Sequence, residues 1–315
     1  MDESFKPKSP VGKIENQEKL KIEWAAETIE SEKHSGRNED AILADPNHRA
    51  FGIFDGMGGH SAGDVASKAA RDYVLVHLQE IPEGVDIDTA KQALSNIIKG
   101  VDKAVREASL GLDMGTTATV LKIHTDTDGK NWALIANVGD SRAYKINKDG
   151  TIRQLTIDDD IVSESRHSPE ARQKITEKMA NARSLQDFTE EEIYYFTLRH
   201  EIARALGRRD SLPGIYVVPI SKGEQFLLTS DGVHDNLTTL EIEETLGQEG
   251  TLKYVVNDLI RRSVDRSREP PEKKKCAPSR TICRRYWLSV CKGIVSSNLT
   301  ISTFVLICLL SGVYY

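Results

Sequence analysis

Short apolar runs alternate along the chain with stretches whose apolar residues recur at helical spacing. Phe51-Gly52-Ile53-Phe54 reads as a buried strand running into a glycine turn. From Ser61 to Gln79, the positions Val65, Ala66, Ala69, Ala70, Tyr73 and Val74 keep the period of a helix. Leu94, Ile97, Ile98, Val101, Ala104 and Val105 predict a second one. Strand signals then dominate, at Thr116–Leu121 and at Ala133–Val138. Tyr144-Lys145-Ile146 and Ile152-Arg153-Gln154-Leu155 flank Asp149-Gly150, which predicts a hairpin. Residues 157–210 are charged and helical in pattern, too polar for a core. Phe226–Thr229 resumes a strand that ends at Ser230-Asp231-Gly232. Strands in runs with helices in pairs predict layered α+β packing rather than a parallel βαβ sheet.

Composition narrows the class. With 39% hydrophobic and 29% charged residues the chain is globular, not collagen-like, disordered or a disulfide scaffold. The net charge of −6 is unevenly spread. From Pro270 to Tyr315 there are seven Lys/Arg and one acid, so the preceding body carries −12. An acidic body speaks against a nucleic-acid partner, because phosphate affinity rests on clustered Lys/Arg. All four cysteines (Cys276, Cys283, Cys291, Cys308) lie in the last segment, so nothing in the body points to an oxidising compartment. The chain opens without an apolar signal run.

Four acidic spots share one local grammar. Asn38-Glu39-Asp40 precedes a strand-like segment, whereas Asp55-Gly56, Gly139-Asp140-Ser141-Arg142 and Ser230-Asp231-Gly232 follow one. An Asp beside Gly at a strand end projects a carboxylate where backbone can approach closely. Each spot alone reads first as turn chemistry. Converging at one end of a sheet, they make a hard-oxygen site suited to Mg²⁺ or Mn²⁺.

Phe54-Asp55-Gly56-Met57-Gly58-Gly59-His60, Gly115-Thr116-Thr117-Ala118, Asn137–Tyr144, Ile202–Gly207 and Thr229–Val233 occur in an order that resembles the metal-dependent type 2C (PPM-type) protein serine/threonine phosphatases, in their bacterial-like variety. The resemblance covers residues 22–262. It implies an α+β fold, a four-layer α-β-β-α sandwich with a metal centre at one end of the two sheets. It implies two Mn²⁺ or Mg²⁺ ions, with a weaker third. Asp55 would bridge the pair, Gly56 would lend its carbonyl, Asp231 would hold one ion, and Glu39 or Asp40 the other or its waters. Asp140 would serve the third ion. Hydrolysis of phosphoserine or phosphothreonine in proteins would then proceed by in-line attack of a metal-bound water, without a phosphoenzyme. The implied partners are phosphorylated proteins, met by a cytoplasmic monomer.

The pattern departs in places. Arg37 is the phosphate clamp by chemistry, but it stands two residues before Glu39 where the family usually leaves four. Met57 occupies the position where many eukaryotic members carry His, which leaves His60 as the candidate general acid. Arg142 is expected to support the fold beside Asp140. The family's closing Asp, followed by Asn or Asp and an apolar strand, has no counterpart: no Asp follows Asp265. Asp235-Asn236-Leu237-Thr238 resembles it too early, and Ser297-Asn298-Leu299-Thr300-Ile301 has the shape without the carboxylate. This absence opens an alternative function, a catalytically impaired phosphoprotein-binding protein.

The expected organisation is a loose segment 1–20, a PPM-type domain 21–269 with a flap-like helical insertion 157–213, a basic linker 270–293 and a hydrophobic tail 294–315. Ile294–Tyr315 holds 22 residues without charge and follows a basic stretch, the length and flank of a membrane anchor. The tail reads equally as a frameshifted end, since Lys273-Lys274-Lys275 fits an adenine run, or as an unusual core strand.

Overall fold

A computed structural model of the chain describes residues 11–15, 21–29, 38–58, 62–182, 185–199, 201–208, 211–221, 223–268 and 303–311. Twelve strands form two antiparallel sheets among these residues. The first sheet runs β1 (Val11–Glu15), β2 (Lys21–Ile29), β12 (Thr303–Ser311), β11 (Gln225–Thr229), β8 (Arg142–Ile146), β9 (Ile152–Gln154). The second runs β10 (Gly214–Pro219), β7 (Asn131–Val138), β6 (Ala118–Thr125), β4 (Ala50–Gly58), β3 (Asp40–Asp45), and the short β5 (Met114–Thr116) extends β4.

Side-chain alternation turns the sheets into layers. Phe51 and Ile53 of β4, Leu121 and Ile123 of β6, and Ala133 and Ile135 of β7 face the first sheet, meeting Ile22, Trp24, Phe226 and Leu228. The opposite face of the second sheet, with Phe54, Val120, Leu134 and Ala136, packs on α1 (Gly63–His77) and α2 (Ile87–Ser109). The outer face of the first sheet, with Ala25, Tyr144 and Leu227, packs on α5 (Asp231–His234), α6 (Thr239–Leu246) and α7 (Leu252–Arg268). The result is the expected four-layer α-β-β-α sandwich.

Local chemistry sets the helix ends. Asp86 caps α2 by accepting the Thr89 N–H at 2.9 Å. A reciprocal pair, Thr238 and Glu241, opens α6. This accounts for Asp235-Asn236-Leu237-Thr238: the segment is the start of a helix, not a closing strand.

Three expectations change. Val11–Glu15 lies within the segment expected to be loose, yet it pairs with β2 from Val11 opposite Ala25 to Glu15 opposite Lys21. Residues 157–210 do build a core of their own: Val162, Met179, Ala182, Phe188, Tyr195 and Phe196 pack together between α3 (Pro169–Asn181) and α4 (Glu190–Thr197). A few apolar residues suffice there because the two short helices bury only one narrow stripe each. Finally, of the readings of the tail, the core strand rather than the membrane anchor fits the structure: Thr303–Ser311 is a strand between β2 and β11. Length and lack of charge cannot separate a span from a strand that is paired on both edges. No helix among the described residues is long and apolar enough to cross a membrane. Residues 270–302 and 312–315, with the basic linker and the Ser297–Ile301 motif, lie outside the described residues.

Candidate functional site

The acidic spots meet because of strand register. Asp40 starts β3 and Asp55 lies near the end of antiparallel β4, directly opposite it. Asp140 sits in the turn from β7 to β8, one sheet to the other, and Asp231 follows β11 where Thr229 faces Arg142. Four carboxylates far apart in sequence thus share one end of the sandwich.

The threonine motif fixes the Asp55 backbone. Thr117 Oγ1 accepts the Asp55 N–H at 2.9 Å, and Thr117 N–H and Thr116 Oγ1 donate to the Asp55 carbonyl at 2.8 and 3.0 Å. Thr117 Oγ1 also lies 2.9 Å from Ser141 Oγ, so the turn that carries Asp140 is tied to the strand that carries Asp55. Gly139 adopts φ +100°, and a Cβ there would lie 2.6 Å from Thr117 Cγ2. At Gly56 the approach is closer still: a Cβ would stand 2.0 Å from the Gly63 carbonyl oxygen and 2.5 Å from that of Glu39. The first turn of α1 and the Glu39 backbone can close on the Asp55 strand only because Gly56 has no side chain.

The electrostatics are unfavourable as they stand. Asp40, Asp55, Asp140 and Asp231 all have pKa values well above the usual carboxylate range, first because of burial and then through mutual repulsion. Both Asp40 carboxylate oxygens and Asp140 Oδ1 are buried without a hydrogen-bond partner. Glu39 is buried beside them, its Oε1 near Gly63. No three acidic, histidine or cysteine side chains among the described residues are closed around one point. The site is a chain of neighbouring carboxylates, and orphaned buried oxygens of this kind are satisfied by a hard cation.

Arg142 does not face this chain as a clamp. Its guanidinium, buried, grips Asp158 through Nη2 at 2.6 Å and Nε at 2.8 Å. Arg37 and His60 lie outside the described residues. Sequence reasoning missed the run Asp158-Asp159-Asp160, which enters the flap-like insertion. Asp159 Oδ2 accepts the Gly139 N–H at 3.0 Å, its Oδ1 pairs with Arg204, and the Ala203 N–H donates to its carbonyl at 2.7 Å. Asp159 therefore links the Asp140 turn to the Ile202–Gly207 segment. The run of three acids gave no signal by itself, since Glu190-Glu191-Glu192 is an equal run that merely starts α4; only burial sets Asp158–Asp160 apart.

The protein phosphatase 2C family profile matches residues 21–269. The chain belongs to the protein phosphatase 2C family. It is 30% identical over 205 residues to the serine/threonine phosphatase stp of Listeria innocua, covering 64% of this chain and 72% of that protein. It is 30% identical over 214 residues to the serine/threonine protein phosphatase PstP of Mycobacterium tuberculosis, of which the match spans only 36%. Among solved structures, the catalytic domain of PstP in complex with two manganese ions superposes with a TM-score of 0.63 at 23% identity, over 93% of this chain and 99% of that one. A bacterial serine phosphatase superposes with a TM-score of 0.65 at 23% identity, over 93% and 100%. At that identity these structures establish the fold of this phosphatase 2C chain.

Proposed function

We propose that this chain hydrolyses phosphoserine and phosphothreonine in proteins, with Mn²⁺ or Mg²⁺ held at the carboxylate chain. Asp55, with the Gly56 carbonyl, would join two ions; Asp231 would hold one, Glu39 or Asp40 the other, and Asp140 a third. Such ions lower the pKa of a coordinated water and offset charge on the phosphoryl oxygens. The chain's own residues do the rest. The Thr116 and Thr117 hydrogen bonds hold Asp55 rigid, and Thr117–Ser141 sets its distance from Asp140. Arg142, paired with Asp158, offsets part of the repulsion that this further buried acid adds at Asp140. Arg37 and His60 remain the candidates for gripping the phosphate and protonating the leaving oxygen.

The observation that carries this reading is the set of buried carboxylates with orphaned oxygens at one end of the sheets. The test is Asp55→Ala, followed by calorimetric titration with Mn²⁺ and by hydrolysis of para-nitrophenyl phosphate. Loss of both signals is the expected outcome, and wild-type Mn²⁺ affinity in the variant would refute it. One observation favours a second reading, a phosphoprotein-binding protein with impaired turnover: β12, seated between β2 and β11, contains no acid. Absent turnover by wild-type protein that still binds phosphopeptides would decide for it.

A further inference from the structure

A cavity of about 290 Å³ is lined by Glu164, Ile202, Ala203, Ala205 and Arg208. Its position relative to the reacting end is fixed by hydrogen bonds. The wall segment is joined to β5 by reciprocal Thr116–Leu206 backbone bonds, both 3.0 Å, and the next residue, Thr117, binds Asp55. Within this lining, Arg208 reaches over the end of β4: its Nη1 lies 3.5 Å from Met57 Sδ. Glu164, in the same lining, is exposed.

We infer that this cavity is a subsite for the peptide flanking the phosphoresidue, in which Arg208 takes a substrate carboxylate and Glu164 repels one. The inference rests on the phosphatase reading above. Two features single out Arg208. Among the described residues its acidic partner is Asp113, at 3.2 Å, whose side chain is 84% exposed and that of Arg208 39%. An ion pair so wet is screened by water and holds Arg208 only weakly, so a substrate carboxylate replaces it at little cost. In addition, Arg208 lies against Met57, two residues after Asp55 on β4, which places its cation near the reacting end. An exposed cation and an exposed carboxylate in one lining give the subsite a polarity.

The test compares phosphothreonine peptides carrying Asp or Lys at successive flanking positions, with para-nitrophenyl phosphate as a substrate without flanks. Wild-type kcat/KM should favour the acidic peptide by about threefold at one position, the scale of an exposed pair. Arg208→Glu should shift the acidic-to-basic ratio about tenfold toward the basic peptide, since one attraction is lost and one repulsion gained. Glu164→Gln should shift it the other way, a pattern that general destabilisation does not produce. A ratio unmoved in both variants overturns the inference. So does a fall in para-nitrophenyl phosphate hydrolysis as large as that for the acidic peptide, which would put Arg208 on the phosphoryl group itself. If the wild-type protein hydrolyses nothing, the phosphatase reading fails separately, and peptide Kd values by fluorescence anisotropy then read the same preference; equal Kd values for acidic and basic peptides overturn it.

Discussion

Gly56→Ala tests how tightly the site is built. The added methyl would lie 2.0 Å from the Gly63 carbonyl oxygen and 2.5 Å from the Glu39 carbonyl oxygen, both backbone atoms. Neither is the end of a flexible side chain, so α1 or the strand start at Asp40 must retreat by more than 1 Å, judged against an ordinary contact near 3.4 Å. Overpacking of this kind costs roughly 1–3 kcal/mol. The retreat also strains the Gly56 N–H bond to the Glu39 carbonyl, 3.1 Å long, worth about 1 kcal/mol. Together these give about 2–4 kcal/mol, a fall in Tm of roughly 5–15 °C for a domain of this size. Mn²⁺ affinity should fall with it, because Gly56 adjoins Asp55. Differential scanning calorimetry and Mn²⁺ titration read the two effects. Gly247→Ala is the control: its nearest neighbours to a new Cβ are 3.5 Å away or more, and its Tm should stay level or rise slightly. Equal Tm values for Gly56→Ala and wild type would refute the close approach on which the site's assembly depends.

Arg142→Ala should lower stability by about 3–5 kcal/mol, since it leaves Asp158, with a side chain 5% exposed, buried without its partner; urea unfolding within 1 kcal/mol of wild type would contradict this, and Asp158→Asn should rescue part of the loss. Asp160 is pushed up from 3.8 to about 6, by burial first and by neighbouring Asp158 second. Between those values the folded state binds more protons than the unfolded, so wild-type stability should fall relative to Asp160→Asn as pH rises from about 4 to 6, by up to about 3 kcal/mol. Parallel stability curves for the two proteins over that range would reject the buried, raised carboxyl.

Much of the fold was legible because its elements bury one face at a regular period. Val65 to Val74 and Leu94 to Val105 became α1 and α2, and Phe51–Phe54, Thr116–Leu121, Ala133–Val138 and Phe226–Thr229 fall in strands. The acidic spots were legible as strand-end chemistry but not as turns: Asp55-Gly56 continues β4 to Gly58, and Asp231-Gly232 opens α5. Tertiary structure decided the rest. Asp40 and Asp55 face each other through antiparallel register, which local pattern does not encode. The burial that raises their pKa values belongs to the assembled sheets and not to any segment. Asp159 looked like loop charge until the fold placed its carboxylate on the Gly139 N–H. Thr303–Ser311 had the composition of a bilayer segment, and only the paired edges of β2 and β11 made it a strand. In each case the deciding quantity is a contact between residues distant in sequence, set by packing rather than by periodicity.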